Sequence, residues 1–283
     1  MLNHTAKLPL EDELGDVIDK AVRRQGLTLE KLAEETEVPL MRICDAIDYR
    51  GDLSCEELRR MAAVLGLNEV GLCALGTDCY PRPEIGALPF CVWPLRMPHG
   101  IGVANAYLVG ECGSGRAILF DTGGGIEALS SVWPAAVTGI DAVFLTHVEP
   151  EHAGGLCAVV RRFDVLEAWL PEGAEAPCGS PIVDGRSRRF GSMVVTSFAT
   201  PGHAAAHNCY FVASSAAPRS TGLLISGDLV FAGSVGGAYF SADLLKSSLR
   251  RMLLAVPSST VIGPGHGPLT TVENELRFNP FVV

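Results

Sequence analysis

The segment that most constrains this chain runs from Thr146 to Gly155, directly after the apolar residues 142–145. Four side chains that can bind a metal fall within six of its residues: His147, Glu149, Glu151 and His152. The apolar run predicts a buried strand, and the glycine pair that closes the segment allows a sharp turn. Such a strand end is where α/β sheets carry functional side chains. The alternative is a solvated acidic turn with two incidental histidines.

The same order of apolar run, tight turn and polar side chain occurs three more times. The further potential ligands, each with the run before it, are His203 after 193–198, Asp228 after 222–225 and His266 after 260–262. Five of the seven histidines, His207 included, lie in these segments, which a random scatter would not produce. We therefore expect four strands to bring seven potential ligands to one pocket.

In their order along the chain, these motifs resemble the metallo-β-lactamase fold superfamily. Its pattern is His-x-His-x-Asp-His, a later His, a bridging Asp and a final His. The resemblance covers residues 88–283, in which 105–109 and 119–123 match the opening hairpin of the family. The segments most similar to the short glyoxalase II-like hydrolases are 227–234, 264–268 and 279–281. The resemblance implies an α/β fold, a four-layer αββα sandwich with its metal ligands on loops at one edge.

The resemblance also implies two adjacent sites for divalent metal ions. The residues it assigns are His147, Glu149 and His203 to the first ion, Glu151, His152 and His266 to the second, and Asp228 to both. Asp228 is the predicted catalytic residue, because it would also accept a hydrogen bond from the attacking water. Asp121 would orient the ligands by hydrogen bonding from outside. His207, four residues after His203, is a lesser ligand candidate, and the alternatives are a plain surface position or the same supporting role.

Two positions depart from the family pattern. Glu149 stands where a His is expected, and an anionic oxygen donor favours iron or manganese more than imidazole does, so zinc and iron both stay open and manganese is compatible. The His-x-Glu pattern also resembles the diiron members, including the flavodiiron proteins. Glu151 stands where Asp is expected, which moves its carboxylate by on the order of 1.5 Å against metal–oxygen distances near 2 Å. A one-metal or empty site is therefore an alternative.

Such a site favours one of two chemistries. Two adjacent divalent ions lower the pKa of a shared water, and the hydroxide that forms can attack a carbonyl. This predicts a hydrolase of a small acyl compound, a thioester, ester or lactone. The alternative is a diiron redox or gas-binding protein, which would need a separate reductase because the sequence has neither a flavin-binding domain nor a cysteine cluster for an iron–sulfur centre. The candidate substrate contacts, on loops predicted to overhang the metals, are His99, Tyr239 and Phe240.

Residues 1–76 predict a small all-α N-terminal domain, followed by a Pro- and Gly-containing linker over 77–87. The predicted helix caps are Thr28, Asn68 and the capping box Ser54–Glu57. The segments that resemble helix-turn-helix domains of the Cro/repressor type are 26–33, 38–47 and 62–67.

The charge of this domain argues against DNA as its partner. Residues 1–80 carry nine basic and sixteen acidic side chains, a net charge of −7. Phosphate contacts dominate DNA affinity, and the predicted recognition helix, 39–48, offers Arg42 but also Asp45 and Asp48. We expect a protein-interaction or dimerisation module, which makes a homodimer plausible. A regulator that uses the metal domain as a sensor is a third function class.

The composition sets outer bounds. A chain of 283 residues with 48% hydrophobic residues can bury a full core. It shows neither an N-terminal apolar signal region nor a stretch of 18 apolar residues, and a net charge of −10 disfavours anionic membranes. Nine cysteines without a Cys-x-x-Cys pair predict reduced thiols in the cytoplasm rather than disulfides or a structural zinc site.

Overall fold

The computed structural model describes residues 8–100, 102–218 and 220–283. Five helices open this part of the chain: α1 Leu14–Gln25, α2 Leu29–Thr36, α3 Leu40–Ile47, α4 Cys55–Leu65 and α5 Glu69–Gly76. The predicted caps are confirmed, since the side chains of Thr28 and Asn68 accept hydrogen bonds from the first turns of α2 and α5. Ser54 and Glu57 form the reciprocal capping box of α4.

Two six-stranded sheets follow. The first contains, in spatial order, β1 Cys91–His99, β2 Gly102–Gly110, β3 Arg116–Phe120, β4 Gly139–Phe144, β5 Glu167–Pro171 and β6 Ser180–Ile182. The second contains β12 Thr270–Thr271, β11 Val261–Pro264, β10 Leu223–Gly227, β9 Asn208–Ser214, β8 Met193–Ala199 and β7 Ser187–Phe190. The remaining helices are α6 Ile126–Ser131, α7 Pro150–Ala153, α8 Leu156–Phe163, α9 Ala242–Ala255 and α10 Val272–Phe278.

The sheets pack face to face because alternate residues of each strand point inward. Phe120 of β3 and Phe144 of β4 stack with ring centroids 5.5 Å apart, and Tyr210 of β9 lies 5.1 Å from Phe144. Their neighbours Leu119 and Val143 belong to the opposite, outer face, which packs on α6 and α8. The space between the sheets is therefore an apolar core.

The outer face of the second sheet is covered by α9. Leu224 of β10 and Ile262 of β11 share a buried cluster with Leu249 and Met252 of that helix. The helix begins after Ser241, whose side chain accepts a hydrogen bond from the first turn. The resulting order of helices, sheet, sheet and helices is consistent with the predicted αββα sandwich.

The N-terminal helices share a core with the second sheet and its helices. The apolar cluster that contains Leu58 and Met61 of α4 also contains Leu245 and Phe281. At the start of α5, the backbone N–H of Asn68 donates to the Pro280 carbonyl (2.7 Å). The helices are thus packed on the sandwich.

The predicted linker, residues 77–87, contains neither helix nor strand. It is nevertheless anchored, because Tyr80 is buried and its hydroxyl donates to the buried carboxyl group of Glu275. Burial raises the pKa of Glu275 above its usual range, although Thr270 and Tyr80 donate to it. A chain path fixed by buried hydrogen bonds does not behave as a free spacer.

The prediction that no cysteines pair is wrong for Cys91 and Cys112, which form a disulfide with Cα atoms 5.2 Å apart. The reason is the register of the first hairpin. Cys91 lies opposite Gly110, and Cys112 follows Gly110 by two residues, so the two cysteines come close together. That register is not visible in cysteine spacing alone. Separately, the described helices include none that is both long and apolar enough to cross a membrane.

Candidate metal centre

Most of the predicted ligands lie just beyond strand ends at one edge of the sandwich. The strands that lead to them are β4 before His147, β8 before His203, β10 before Asp228 and β11 before His266. The strands β10 and β11 are parallel, so their carboxyl ends reach the same edge. The predicted pattern of strand, turn and ligand is therefore what brings these side chains together.

One compact group contains His147, Glu149 and His203. The Glu149 carboxylate spans the two imidazoles, with Oε1 3.2 Å from His203 Nε2 and Oε2 3.9 Å from His147 Nε2. One potential ligand atom from each of the three residues lies within 4.8 Å of the others. Glu149, which departs from the family pattern, thus lies where it could bind the same ion as the two histidines.

Asp228 lies between this group and a second one, which consists of His152 and His266. Its Oδ1 is 3.6 Å from His152 Nε2, and its Oδ2 is 3.7 Å from His203 Nε2 and 3.5 Å from His266 Nε2. The Nε2 atoms of His152 and His266 are 3.4 Å apart. One carboxylate therefore faces imidazoles of both groups, as a bridging ligand would.

Three buried polar atoms in the pocket have no hydrogen-bond partner among the described residues. In the described part of the chain, Nε2 of His147, Nε2 of His203 and Oδ1 of Asp228 are buried without a hydrogen-bond partner. An unsatisfied buried polar atom is costly, typically about 1–3 kcal/mol. Three such atoms converging on one pocket, from residue types that ligate metals, fit a bound cation.

The four histidines present the same nitrogen to the pocket because their Nδ1 atoms are engaged elsewhere. His203 Nδ1–H donates to the Gly237 carbonyl (2.9 Å), and His266 Nδ1–H donates to the Val103 carbonyl (3.0 Å). His152 Nδ1 faces Asp121 Oδ2 (3.2 Å). His147 Nδ1 lies 2.9 Å from the Thr146 hydroxyl. Each ring is thereby fixed with Nε2 aimed inward, the arrangement usual for ligating histidines.

Asp121, for which the resemblance implies an outer supporting role, contacts two of the segments that carry predicted ligands. Its Oδ1 accepts from the Thr146 backbone N–H (2.7 Å), and its Oδ2 accepts from the Thr146 hydroxyl (2.9 Å). The same carboxylate meets His152. The backbone of Asp121 is left-handed, with φ +59°, a strained conformation often kept at functional sites. One carboxylate thus holds both the first turn and a ligand histidine.

His207 is placed against the backbone rather than among the ligands. The Asp228 backbone N–H donates to its Nε2 (3.2 Å), so its Nδ1 carries the proton and donates to the Thr200 hydroxyl (2.8 Å). Burial, assisted by nearby His203, lowers the pKa of His207 to about 3. A permanently neutral imidazole is thus available as an acceptor for the Asp228 turn.

The electrostatics of the pocket favour a cation. Burial disfavours a charged His152, yet Asp121 and Asp228 outweigh it and raise the pKa of this imidazole to about 9. Burial would raise the pKa of Asp228, but the surrounding histidines lower it below its usual range. Burial lowers the pKa of His147, which stays neutral. A charged buried carboxylate beside a neutral His147 suits metal binding, and a bound cation would displace the proton that His152 carries, because a ligating imidazole is neutral.

The remaining predicted residues line the rim. Glu151 is in neither compact group; its Oε2 lies 3.8 Å from Nε2 of the half-exposed His99. Its role as a ligand therefore stays a prediction. Tyr239 is 81% exposed with its ring 5.3 Å from that of His203, and Phe240 is 55% exposed. These aromatic side chains are free to meet a molecule that approaches the pocket.

Sequence reasoning missed one residue at the site, Glu11. Its Oε1 lies 3.7 Å from His266 Nδ1, although 255 positions separate the two in the chain. No motif surrounds Glu11, and it lies in a segment that the sequence shows only as acidic. Only the packing of the N-terminal helices on the sandwich reveals it.

Comparison with known proteins gives consistent matches. A family model described as the metallo-beta-lactamase superfamily matches residues 99–266. The probable metallo-hydrolase YqgX of Bacillus subtilis (strain 168) is 28% identical over 211 residues, which are 66% of this chain and 96% of that protein.

Two solved structures add to this match. That of the BLEG-1 B3 metallo-beta-lactamase is similar with a TM-score of 0.57 and 26% identity, over 68% of this chain and 100% of that one. That of TTHA1623 in a di-iron-bound form is similar with a TM-score of 0.52 and 27% identity, over 67% of this chain and 99% of that one. Each of the three proteins is matched by about two thirds of this chain.

Proposed function

Because the chain belongs to the metallo-beta-lactamase superfamily, we propose that it is a dinuclear metal-dependent hydrolase of a small acyl compound, a thioester, ester or lactone. The observation that carries this proposal is the position of Asp228, whose two oxygens face the imidazoles of two adjacent ligand groups at 3.5–3.7 Å. The YqgX relative is named a probable metallo-hydrolase, which agrees with the reaction class.

The candidate ligands fall into two groups joined by Asp228. His147, Glu149 and His203 would hold one ion, His152 and His266 the other, and Asp228 both; Glu151 is the further ligand that the sequence predicts for the second ion. The chemistry that two divalent ions would supply here, when bound, is a water of lowered pKa and polarisation of a carbonyl. The protein supplies the fixed positions of these ligands, which the hydrogen bonds to the Nδ1 atoms maintain.

Asp228 is the proposed catalytic residue. Its Oδ1 is buried without a hydrogen-bond partner among the described residues, so it can accept a hydrogen bond from the attacking water. The histidines that surround it keep its pKa low, which leaves the carboxylate charged at neutral pH. His207 holds its backbone, so the acceptor is preorganised.

The rim favours a substrate with an apolar part. Tyr239 and Phe240 follow one another beside His203 and are both largely exposed. Exposed aromatic side chains next to a polar pocket can cover the apolar part of an acyl compound while its carbonyl enters. His99, the last residue of β1 in the first sheet, would contact the same molecule from the other side.

The test is a panel of thioesters, esters and lactones supplied to metal-loaded protein. We expect turnover with at least one class and a fall in kcat/KM of at least about 100-fold in Asp228→Asn, since loss of a ligand costs no less than loss of an outer hydrogen bond. Asp52→Asn, an exposed change in the loop between α3 and α4, is the matched control. Absence of turnover by fully loaded protein on the whole panel would contradict the proposal.

A second candidate is a diiron redox or gas-binding protein. Glu149 favours it, because this carboxylate sits 3.2 Å from His203 and adds an oxygen donor to the set. The similar TTHA1623 structure is in a di-iron-bound form. Elemental analysis of protein purified without added metal separates the candidates: iron in two equivalents supports this one, and zinc as the sole metal removes it.

A further inference from the structure

We propose that the N-terminal helical segment completes the metal centre, with Glu11 as a positioning residue for His266. The inference rests on the proposed dinuclear site. Glu11 lies outside residues 99–266, the part matched by the family model, yet its Oε1 is 3.7 Å from His266 Nδ1. The contact is close at the backbone too, because a Cβ added to Gly267 would lie 3.1 Å from the Glu11 nitrogen.

The segment that carries Glu11 is fastened to the loop that follows Asp228. The neighbouring Asp12 is buried, and its carboxylate accepts hydrogen bonds from the Ser234 hydroxyl and the Lys20 ammonium group. Lys20, on α1, also donates to the Val235 carbonyl (2.9 Å). These three hydrogen bonds favour one geometry, because loss of the partly buried Lys20 would leave the charge of the buried Asp12 unpaired. The position of Glu11 is therefore set by the fold.

Helix α1 is also linked to His266 by the side chain of Phe231, which lies between Lys20 and His266. Phe231 is buried, and its ring meets the His266 ring edge-on with centroids 5.6 Å apart. The Lys20 ammonium group lies 5.5 Å from the centre of the Phe231 ring. His266 is thus enclosed by Phe231, which α1 supports, and by the Glu11 carboxylate. Within the described part of the chain, the other candidate ligand histidines lie near carboxylates of the sandwich and not of the N-terminal helical segment.

The chemistry of this contact gives Glu11 its role. The Nδ1–H of His266 already donates to the Val103 carbonyl, so the nearby Glu11 carboxylate acts by its charge. A negative charge beside the N–H side of an imidazole makes the opposite nitrogen a better donor to a cation. The Glu11 side chain is only 31% exposed, so water screens this charge incompletely. We therefore expect Glu11 to strengthen binding of the ion that His266 holds.

The experiment is a metal titration of the full chain. Zinc affinity for each equivalent is measured by competition with a chromophoric chelator, and the cobalt(II) absorption spectrum reports the coordination. The variants are Glu11→Gln, which removes the charge, and Glu11→Asp, which keeps it. Glu56→Gln is the control, because it makes the same change in net charge at an exposed side chain of α4 that pairs with Arg60 and not with a residue of the site.

In Glu11→Gln we expect one zinc equivalent to lose affinity by about tenfold or more, with an altered cobalt spectrum, and Glu11→Asp to retain more affinity. Wild-type affinities and spectrum in Glu11→Gln would overturn the inference while leaving the proposed function intact. An equal loss in Glu56→Gln would also overturn it, because net charge would then explain the effect. A wild-type protein that takes up no second equivalent would instead overturn the proposed dinuclear function.

Discussion

The backbone N–H of Asp228 donates a hydrogen bond to Nε2 of His207 (3.2 Å), across 21 residues of sequence. Burial keeps the imidazole neutral, and its other nitrogen is held by Thr200. The turn after β10 is tight, since Gly227 has φ +48° and a Cβ there would lie 2.8 Å from His207 Nε2. His207 therefore sets the position of the carboxylate that both ligand groups share.

We predict that His207→Ala weakens metal binding by about tenfold to a hundredfold, because the Asp228 turn loses its acceptor. His207→Gln keeps an acceptor of similar reach and should retain more affinity. Competition with a chromophoric chelator measures both. Wild-type affinity in His207→Ala would show that the turn is held without this hydrogen bond.

Gly265 gives a steric test of the same pocket. A Cβ at this position would lie 2.1 Å from Asp228 Oδ1 and 3.0 Å from His152 Cε1. We predict that Gly265→Ala displaces Asp228 and loses at least one metal equivalent, with about 1–3 kcal/mol of destabilisation from overpacking. Gly86→Ala is the matched control, since no atom lies within 4 Å of its added Cβ. Full metal occupancy in Gly265→Ala, by elemental analysis, would refute the described approach of the two segments.

The stability of the N-terminal helices should depend on Glu57 at acid pH. Arg42 donates two hydrogen bonds, of 2.7 and 2.8 Å, to its carboxylate. Their effect exceeds that of burial, so the pKa of Glu57 is lowered to about 2. Because the folded pKa is below the ordinary value of 4.5, this contribution is complete above about pH 4.5 and is lost as the pH falls towards 2.

We predict that Glu57→Gln lowers the free energy of unfolding at pH 7 by about 1 kcal/mol, a modest value because Arg42 is half exposed. The difference from wild type should shrink as the pH falls from 4.5 towards 2. Urea unfolding at several pH values measures it. A difference that stays constant with pH would rule out the ion pair as its source.

The same ion pair bears on DNA binding. Arg42 is the basic residue of α3, and Glu57 already occupies its guanidinium group. Arg50, just beyond that helix, pairs with Asp45 and Asp48. We predict that the protein does not bind duplex DNA even at low ionic strength, measured by fluorescence anisotropy with a labelled duplex. Salt-dependent binding would restore the regulator with a helix-turn-helix module as a function class.

Much of the site follows from local sequence. A short apolar run with a turn and a ligand after it specifies a buried strand end, and this pattern placed His147, His203, Asp228 and His266 at one edge. The resemblance to a known family supplied the order of the motifs. The structure also puts Asp121 and His207 where outer hydrogen bonds to this site were expected.

The rest depends on packing between distant segments. The disulfide of Cys91 and Cys112 requires the register of a hairpin, which cysteine spacing does not encode. Glu11 meets His266 only because the helices dock on the sandwich. The orientation of Glu151 towards His99 depends on a one-turn helix, α7, that turns His152 into the pocket instead. Side-chain direction over so short an element cannot be read from residue types.

Metal stoichiometry tests the central claim most directly. We propose measuring it by elemental analysis of protein purified without added metal or chelator, and again after reconstitution, for wild type and Asp228→Asn. We predict two equivalents of transition metal per wild-type chain and a loss of at least one in Asp228→Asn. A wild-type chain that holds fewer than two equivalents even after reconstitution would contradict a carboxylate shared between two ions.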